Sequence, residues 1–389
     1  MSPPVAAPSN ILIIGGGIAG VSTAYFLACH PLRSASTKIT LVEGTKVAAA
    51  ASGKSGGFLA KDWHGSATAD LSAMSYDLHK NLAEEFGGKE NWGYRTVDTL
   101  SIETDATRKS KRSSPLKWLP EGLVHSSRSL GSHTTTAQVH PGQFTEFFSS
   151  KFLEKPSTSL IIGQATSLSL KDDGSPKSVG VNKKHGSDSD SEKSSENQHI
   201  EVDADVVVLA AGPWTGSLAD KLLGNKIGGR LGVTGHRAHS VVLRTKEELS
   251  ATCLFTSMTM ADGSAGEPEV YARPDGGCGA GDDEPLPPTA AHVKPSASAI
   301  KKLHGQAQSL SPVFTQDQNV EVVAEQACYL PIADRGRPLV GKVRGVEGVY
   351  IGSGLSCWGI TQGPGTGKVL AEMILDGKAK SADVSKLAP

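Results

Sequence analysis

Residues 10–20 read N-I-L-I-I-G-G-G-I-A-G, and residues 38–43 read K-I-T-L-V-E. Ile11 to Ile14 form a short, branched apolar run suited to a strand buried on both faces. It runs straight into Gly15-Gly16-Gly17-Ile18-Ala19-Gly20, a G-x-G-x-x-G pattern that opens a helix, and the second strand ends in the acid Glu43. Strand, glycine turn, helix, strand and terminal acid within a unit of roughly thirty residues fit a dinucleotide-binding βαβ unit. Gly15 permits the tight turn, Gly17 lets the backbone approach a pyrophosphate, and Gly20 lets helix and strand pack closely. The helix N-terminus offers unpaired N–H groups and about half a positive charge to that pyrophosphate. Glu43 can accept both hydroxyls of an adenosine ribose. The expected fold class is α/β, a Rossmann-like domain.

The rest of the chain bounds what such a domain serves. At 389 residues there is room for a second domain inserted into the first. The 39 Lys and Arg balance 40 Asp and Glu to a formal charge of -1, so no global field draws nucleic acid or an anionic membrane. Cys29, Cys253, Cys278, Cys328 and Cys357 are scattered with no C-x-x-C pair, which suggests a reduced, cytoplasmic chain without a zinc site. The opening M-S-P-P-V-A-A-P-S-N lacks signal-peptide character, and no apolar run approaches the ~20 residues that span a bilayer. Residues 171–199 are nearly free of large apolar side chains and read as a flexible surface insertion at a hairpin tip.

A second glycine-rich stretch, Q-G-P-G-T-G-K-V at 362–369, comes close to a P-loop. Gln362 stands where the first glycine belongs, and Val369 has no hydroxyl for magnesium. A triphosphate site is therefore excluded. A third stretch, S-G-K-S-G-G at 52–57, follows Glu43 closely and leaves backbone amides and hydroxyls free to cradle an extended ligand.

At this turn the chain resembles the D-amino-acid oxidase superfamily of FAD enzymes, which includes glycine oxidase, sarcosine oxidase and the amadoriases, with its nearest likeness to fungal members. The resemblance recurs in H-P-G-Q-F-T-E-F-F (140–148), A-D-V-V-V-L-A-A-G-P-W-T-G-S-L-A (204–219), Q-A-C-Y-L-P-I-A-D-R-G-R-P-L-V-G (326–341) and residues 349–375. It implies a discontinuous FAD domain (1–62, 140–215, 331–389) and an inserted antiparallel-sheet substrate domain (63–139, 216–330). It implies FAD contacts from Gly15, Gly17, Ile18, Ala19, Gly20, Glu43 and Gly44, then Ser52, Gly53, Ser55, Gly56, Gly57, Phe58 and Leu59. Ala165 would lie by the adenine. Ala211, Gly212, Trp214, Cys328, Gly354, Leu355, Trp358, Gly359, Ile360 and Thr361 complete the set. Residues 359–368, G-I-T-Q-G-P-G-T-G-K, would then be a second glycine-rich helix start whose amides face the flavin ring, with Lys368 a first-turn surface residue. Cys328 has two readings, a thioether to the flavin or inert packing, and packing is favoured.

The resemblance implies oxidation of an amine or amino acid by hydride transfer to the flavin, giving an imine. Two alternatives stay open: a flavin-binding scaffold or sensor with little turnover, and an FAD-dependent 2-hydroxy-acid dehydrogenase. The first is prompted by Leu355, where the family has histidine. Arg237, Tyr271, Arg273 and Trp358 are the expected catalytic residues. The arginines would hold a substrate carboxylate, and Trp63, Tyr271 and Trp358 would wall the pocket. Lys54 and Lys61 read as surface residues. The expected partner is a small amine or amino acid, without nucleic acid or a transmembrane segment, in a monomer or weak dimer.

Overall fold

The computed structural model describes residues 8–184, 198–246, 248–272, 284–315, 317 and 320–389, and the backbone alone of 278–282. One eight-stranded sheet runs, edge to edge, through Gln198–Asp203, Pro176–Lys183, Thr158–Leu170, Lys38–Glu43, Asn10–Ile14, Val206–Leu209, Val349–Ser353 and Leu339–Lys342. Its five central strands, Thr158–Leu170 through Val349–Ser353, are parallel. Ile11 and Ile13 turn toward the helices Ile18–Ala28, Pro141–Leu153 and Gly359–Leu375. Leu12 and Ile14 turn toward the opposite core, so the strand is buried on both faces as its apolar run requires.

The insertion expected over 171–199 is corrected in part. Pro176–Lys183 is a strand of this sheet, paired with Thr158–Leu170 through a tight turn at 171–175. Val179 and Val181 are fully buried. Alternating valines in S-V-G-V-N needed only one buried face to make a strand, which a low overall apolar content concealed. Residues 185–197 lie outside the described residues.

The second sheet runs Glu321–Ala333, Val233–Arg244, Cys278–Asp282, Glu269–Tyr271, Thr252–Thr259, Asp98–Asp105 and Val124–Gly131. It is mixed rather than purely antiparallel, because Thr252–Thr259 and Asp98–Asp105 run parallel. The helix Ala297–Leu310 covers one face through Ile300, Leu303 and Leu310. The other face turns toward the first sheet and the 52–57 turn.

The helix start expected over 359–368 is present and falls at Gly359. The helix Gly359–Leu375 has already begun at Gly359, so Gly363, Gly365 and Gly367 lie inside it. A Cβ on them would stand 2.7 Å from the Ile18 side chain, 2.6 Å from Ser75 and 2.4 Å from the Ser22 carbonyl carbon. These glycines let three helices pack at backbone distance. Pro364 removes one N–H from the ladder. The freed Ile360 carbonyl accepts from His79 Nε2 at 2.8 Å. Ser75 Oγ donates to the Thr361 carbonyl at 2.6 Å and accepts from Gly365 N at 2.8 Å. A side chain inserted into the ladder thus repairs the break. Burial pushes the His79 pKa down to about 4, opposed in part by the Ile360 bond, so its ring is neutral near pH 7. Lys368 is not in the first turn; its Nζ lies 3.4 Å from Glu372 Oε1, deeper in the helix.

Candidate active site

A cavity of about 420 Å³ opens beside the first helix and runs along the C-terminal ends of the parallel strands. That position is where open α/β sheets bind ligands. At one end Gly15 has φ +120°, and a Cβ there would meet the Ala210 carbonyl oxygen at 2.2 Å, so only glycine fits. A Cβ on Gly20 would fall 1.9 Å from the Gly15 carbonyl oxygen, which is the close packing expected of the third glycine. Glu43 is held by both oxygens: Oε2 accepts from Gly16 N at 2.7 Å, and Oε1 from Thr45 N at 2.8 Å and Thr45 Oγ1 at 3.0 Å. Its carboxylate still faces the cavity. Ser52 Oγ caps the first helix by accepting from Ile18 N at 2.9 Å, which leaves its own O–H to donate into the cavity.

The cavity brings together Gly15, Gly17, Ile18, Ala19, Glu43, Gly44, Ser52, Ser55, Ala165, Ala211, Gly212, Trp214, Leu355, Gly359 and Ile360 from the expected set. Gly212 has φ +54° with nothing within 4 Å of a would-be Cβ, so bare backbone is presented there. Trp214 is fixed by Nε1 donating to the Pro287 carbonyl at 2.7 Å. Gln164, Lys221, Ser353, Cys357 and the 288–290 and 330–331 segments also line it. Gln164, Lys221 and 288–290 carry no motif in the sequence, whereas Leu330, Pro331, Ser353 and Cys357 lie within the 326–341 and 349–375 stretches without being singled out there.

Other expected residues lie outside the lining. A Cβ on Gly53 would stand 2.1 Å from the Ala48 carbonyl oxygen, and on Gly57 1.9 Å from that of Val139, so both glycines serve packing. Gly56 carries the Tyr271 ring, 2.3 Å from a would-be Cβ. Phe58 and Leu59 are buried in a small three-stranded sheet. Thr361 Oγ1 donates to the Phe58 carbonyl at 3.3 Å, and Gly354 forms a positive-φ turn against Ala333. Trp358 belongs to a cluster with Phe58, Trp63, Phe255 and Tyr271. Cys328 is buried beside Lys54 and is not in the lining, although Leu330 and Pro331 are. Burial pushes its thiol up to about 11, with Lys54 opposing.

Two assignments change. Arg237 is no pocket clamp: its Nη1 lies 2.5 Å from Glu284 Oε2 and also donates to the Lys294 carbonyl. His239, on the same face of the strand, accepts from Ser296 N at 2.9 Å. That face packs against the 284–296 segment, whereas Ser240 on the opposite face reaches the Lys54 carbonyl. Lys54 is half-buried rather than free on the surface. Its Nζ donates to the Ala327 carbonyl at 3.0 Å, and burial lowers its pKa. Lys61 is a surface residue, paired with Asp77 at 2.6 Å. Arg273 lies outside the described residues.

A glycine-walled helix start, an acid on the second strand and a bare backbone patch at Gly212 together fit an extended dinucleotide. With the second sheet set over one end, these features define an oxidoreductase that works on a bound FAD. The chain belongs to the FAD-dependent oxidoreductase (DAO) family, whose model matches residues 10–373. It is 37% identical to the Schizosaccharomyces pombe protein C1F5.03c over 98% of this chain and 97% of that one. It is 29% identical to Saccharomyces cerevisiae TDA3 over 98% and 94%; both are named as oxidoreductases. Its fold matches glycine oxidase from Bacillus cereus ATCC 14579 with a TM-score of 0.74, at 17% identity and 98% coverage of each chain. L-proline dehydrogenase from P. horikoshii matches with a TM-score of 0.72, at 18% identity, over 99% and 98%. Among the described residues no helix is long and apolar enough to cross a membrane.

Proposed function

We propose that the protein oxidises the C–N bond of an amine or amino acid. The observation that carries this reading is the chemistry of the cavity lining. Its charged side chains among the described residues are Glu43, at the dinucleotide end, and Lys221. Among the described residues that line it there is no histidine or second carboxylate to take a proton from carbon. Bound FAD supplies a hydride acceptor, and hydride loss from the carbon of a neutral amine needs no such base. The remaining work is positional. The Gly359 start of the last helix and the Leu355–Cys357 segment would form one wall against the reacting end, and the second sheet would exclude water over it. Correct orientation alone is worth about 7–11 kcal/mol in such reactions. Structural neighbours are named glycine oxidase, iminodiacetate oxidase and L-proline dehydrogenase, after amino-acid substrates, which supports the reading.

Residues Gly15, Gly17, Glu43, Ser52, Gly212 and Gly359 are proposed to hold the FAD. Glu43 would accept from the ribose and Ser52 would donate to the pyrophosphate. The test is anaerobic mixing of the FAD-loaded protein with amines, N-methyl amino acids and 2-hydroxy acids. Bleaching of the flavin by an amine is expected. Bleaching by hydroxy acids alone, or by nothing in the panel, overturns the proposal.

A further inference from the structure

The 284–296 segment is a loop with two anchored limbs and a forward tip. Arg237 and His239 alternate on the strand Val233–Arg244, and Tyr329 stands opposite Arg237 on the neighbouring strand, so the three share one face. Val241, next in that alternation, packs with Ile300 and Leu303 beneath the helix Ala297–Leu310, which identifies the face as the rear one. The first limb is held there at Glu284 by Arg237 and at the Pro285 carbonyl by Tyr329 OH at 2.7 Å, and Leu286 lies over Gly235. The second limb is held at the Lys294 carbonyl by Arg237 Nη1 at 3.4 Å and at Ser296 N by His239 Nε2 at 2.9 Å. Arg237 is only 5% exposed, so one buried guanidinium ties the two limbs together.

Between the limbs the chain reaches the cavity. Pro288, Thr289 and Ala290 line it, and the Pro287 carbonyl accepts from Trp214 Nε1. Beyond that contact, the hydrogen bonds of the tip among the described residues run within it. Thr289 Oγ1 lies 2.8 Å from His292 Nδ1, His292 N donates to the Thr289 carbonyl at 3.1 Å, and Val293 N donates to the Ala290 carbonyl at 3.3 Å. Pro288, Ala291 and His292 are exposed, so the tip is a thin wall with cavity on one side and solvent on the other. Pro285, Pro287, Pro288 and Pro295 lack an N–H for any ladder and fix φ, which makes the limbs stiff. Other walls, at 15–19, 210–212 and 352–353, are strand ends and a helix start rooted in the first sheet. The 51–55 turn is tied to the second sheet through both ends of Lys54. The tip is therefore the wall that opens with the least loss of packing.

We propose that this segment is a gate for the cofactor: FAD enters and leaves where the 288–292 tip swings outward, and Arg237 and Tyr329 are the latch that keeps it shut. Both are positioning residues, since they lie outside the cavity lining and act on FAD only through the tip. Their bonds to the limbs do not involve the ligand, so the latch holds with or without FAD. The inference needs FAD in the cavity and no particular substrate, so it stands or falls apart from C–N oxidation.

Two rates test it on the full chain. Release is followed by the rise of flavin fluorescence when the FAD-loaded protein is diluted, and binding by stopped-flow mixing of the FAD-stripped protein with FAD. Arg237→Gln loosens both limbs and should raise both rates at least about tenfold while shifting Kd by less than about threefold, because an open gate speeds traffic in both directions. Arg237→Lys keeps the charge beside Glu284 and should fall between. Tyr329→Phe removes one bond to the first limb and should raise both rates about threefold. Amide exchange over 288–296, read by mass spectrometry, should quicken in each variant. Unchanged rates in Arg237→Gln and Tyr329→Phe overturn the inference. So does a release rate that rises alone, which marks a weakened site and not an opened gate. If Arg237→Gln does not fold, Tyr329→Phe decides by the same two rates.

Discussion

Replacing Ser75 by alanine tests how the last helix is held against the cavity. The Ser75 hydroxyl is buried and makes two bonds, to the Thr361 carbonyl at 2.6 Å and from Gly365 N at 2.8 Å. Thr361 C=O and Gly365 N–H are i and i+4 in the helix, so the hydroxyl stands between two groups that would otherwise bond each other directly. An unsatisfied buried group costs about 1–3 kcal/mol, and partial closure of the 361–365 bond offsets the second group, so Ser75→Ala should lose about 1–3 kcal/mol in total. The deleted oxygen leaves a space near the size of one water, so the lower half of that range is the more stringent expectation. The loss should extend to cofactor retention, since Gly359 and Ile360 at the start of this helix line the cavity. Urea unfolding followed by circular dichroism gives the stability change, and dialysis followed by flavin fluorescence gives retention. A change below about 0.5 kcal/mol, typical of an uninvolved surface position, would refute the ladder-repair account.

Other outcomes follow from the same geometry. Glu43→Ala removes an acceptor oriented by Gly16 and Thr45 and should lower FAD occupancy on dialysis; full occupancy would mean that the carboxylate does not reach the ribose. Acid precipitation should release the flavin into the supernatant, because Cys328 is buried outside the cavity lining with its pKa pushed up to about 11; flavin in the pellet would contradict this. His79 is depressed to about 4 when folded against 6.5 as its ordinary value, so the unfolded chain binds the extra proton between those pH values. Its contribution is therefore present above pH 6.5 and is lost as pH falls toward 4, by about 3 kcal/mol in all, and His79→Gln should flatten that slope of stability with pH.

The cofactor half of the fold was legible because each residue of the first βαβ unit has one job and no substitute. Gly15 and Gly20 are forced by carbonyl oxygens about 2 Å from any Cβ, and a sequence can display that directly. The substrate half was not, because a strand's period of two says which residues share a face and not which face is inward. Arg237 and His239 were paired on one side correctly, but that side packs on the 284–296 segment. The side toward the 52–57 turn carries Ser240 and, two strands away, Glu269, and only the register reveals their alignment. Gly363, Gly365 and Gly367, inside the helix that starts at Gly359, have a different cause. Glycine marks close approach, and here the approaching groups are two other helices rather than a ligand.

The central claim, FAD-dependent oxidation at a C–N bond, is tested most directly by stopped-flow reduction under anaerobic conditions. N-methylbenzylamine is compared with the same amine deuterated at the carbons bearing nitrogen. The account predicts that the flavin bleaches in a single turnover, that deuterium slows bleaching by a primary isotope effect, and that one imine-derived aldehyde forms per flavin. A flavin that stays oxidised with every amine while a 2-hydroxy acid bleaches it would contradict the account.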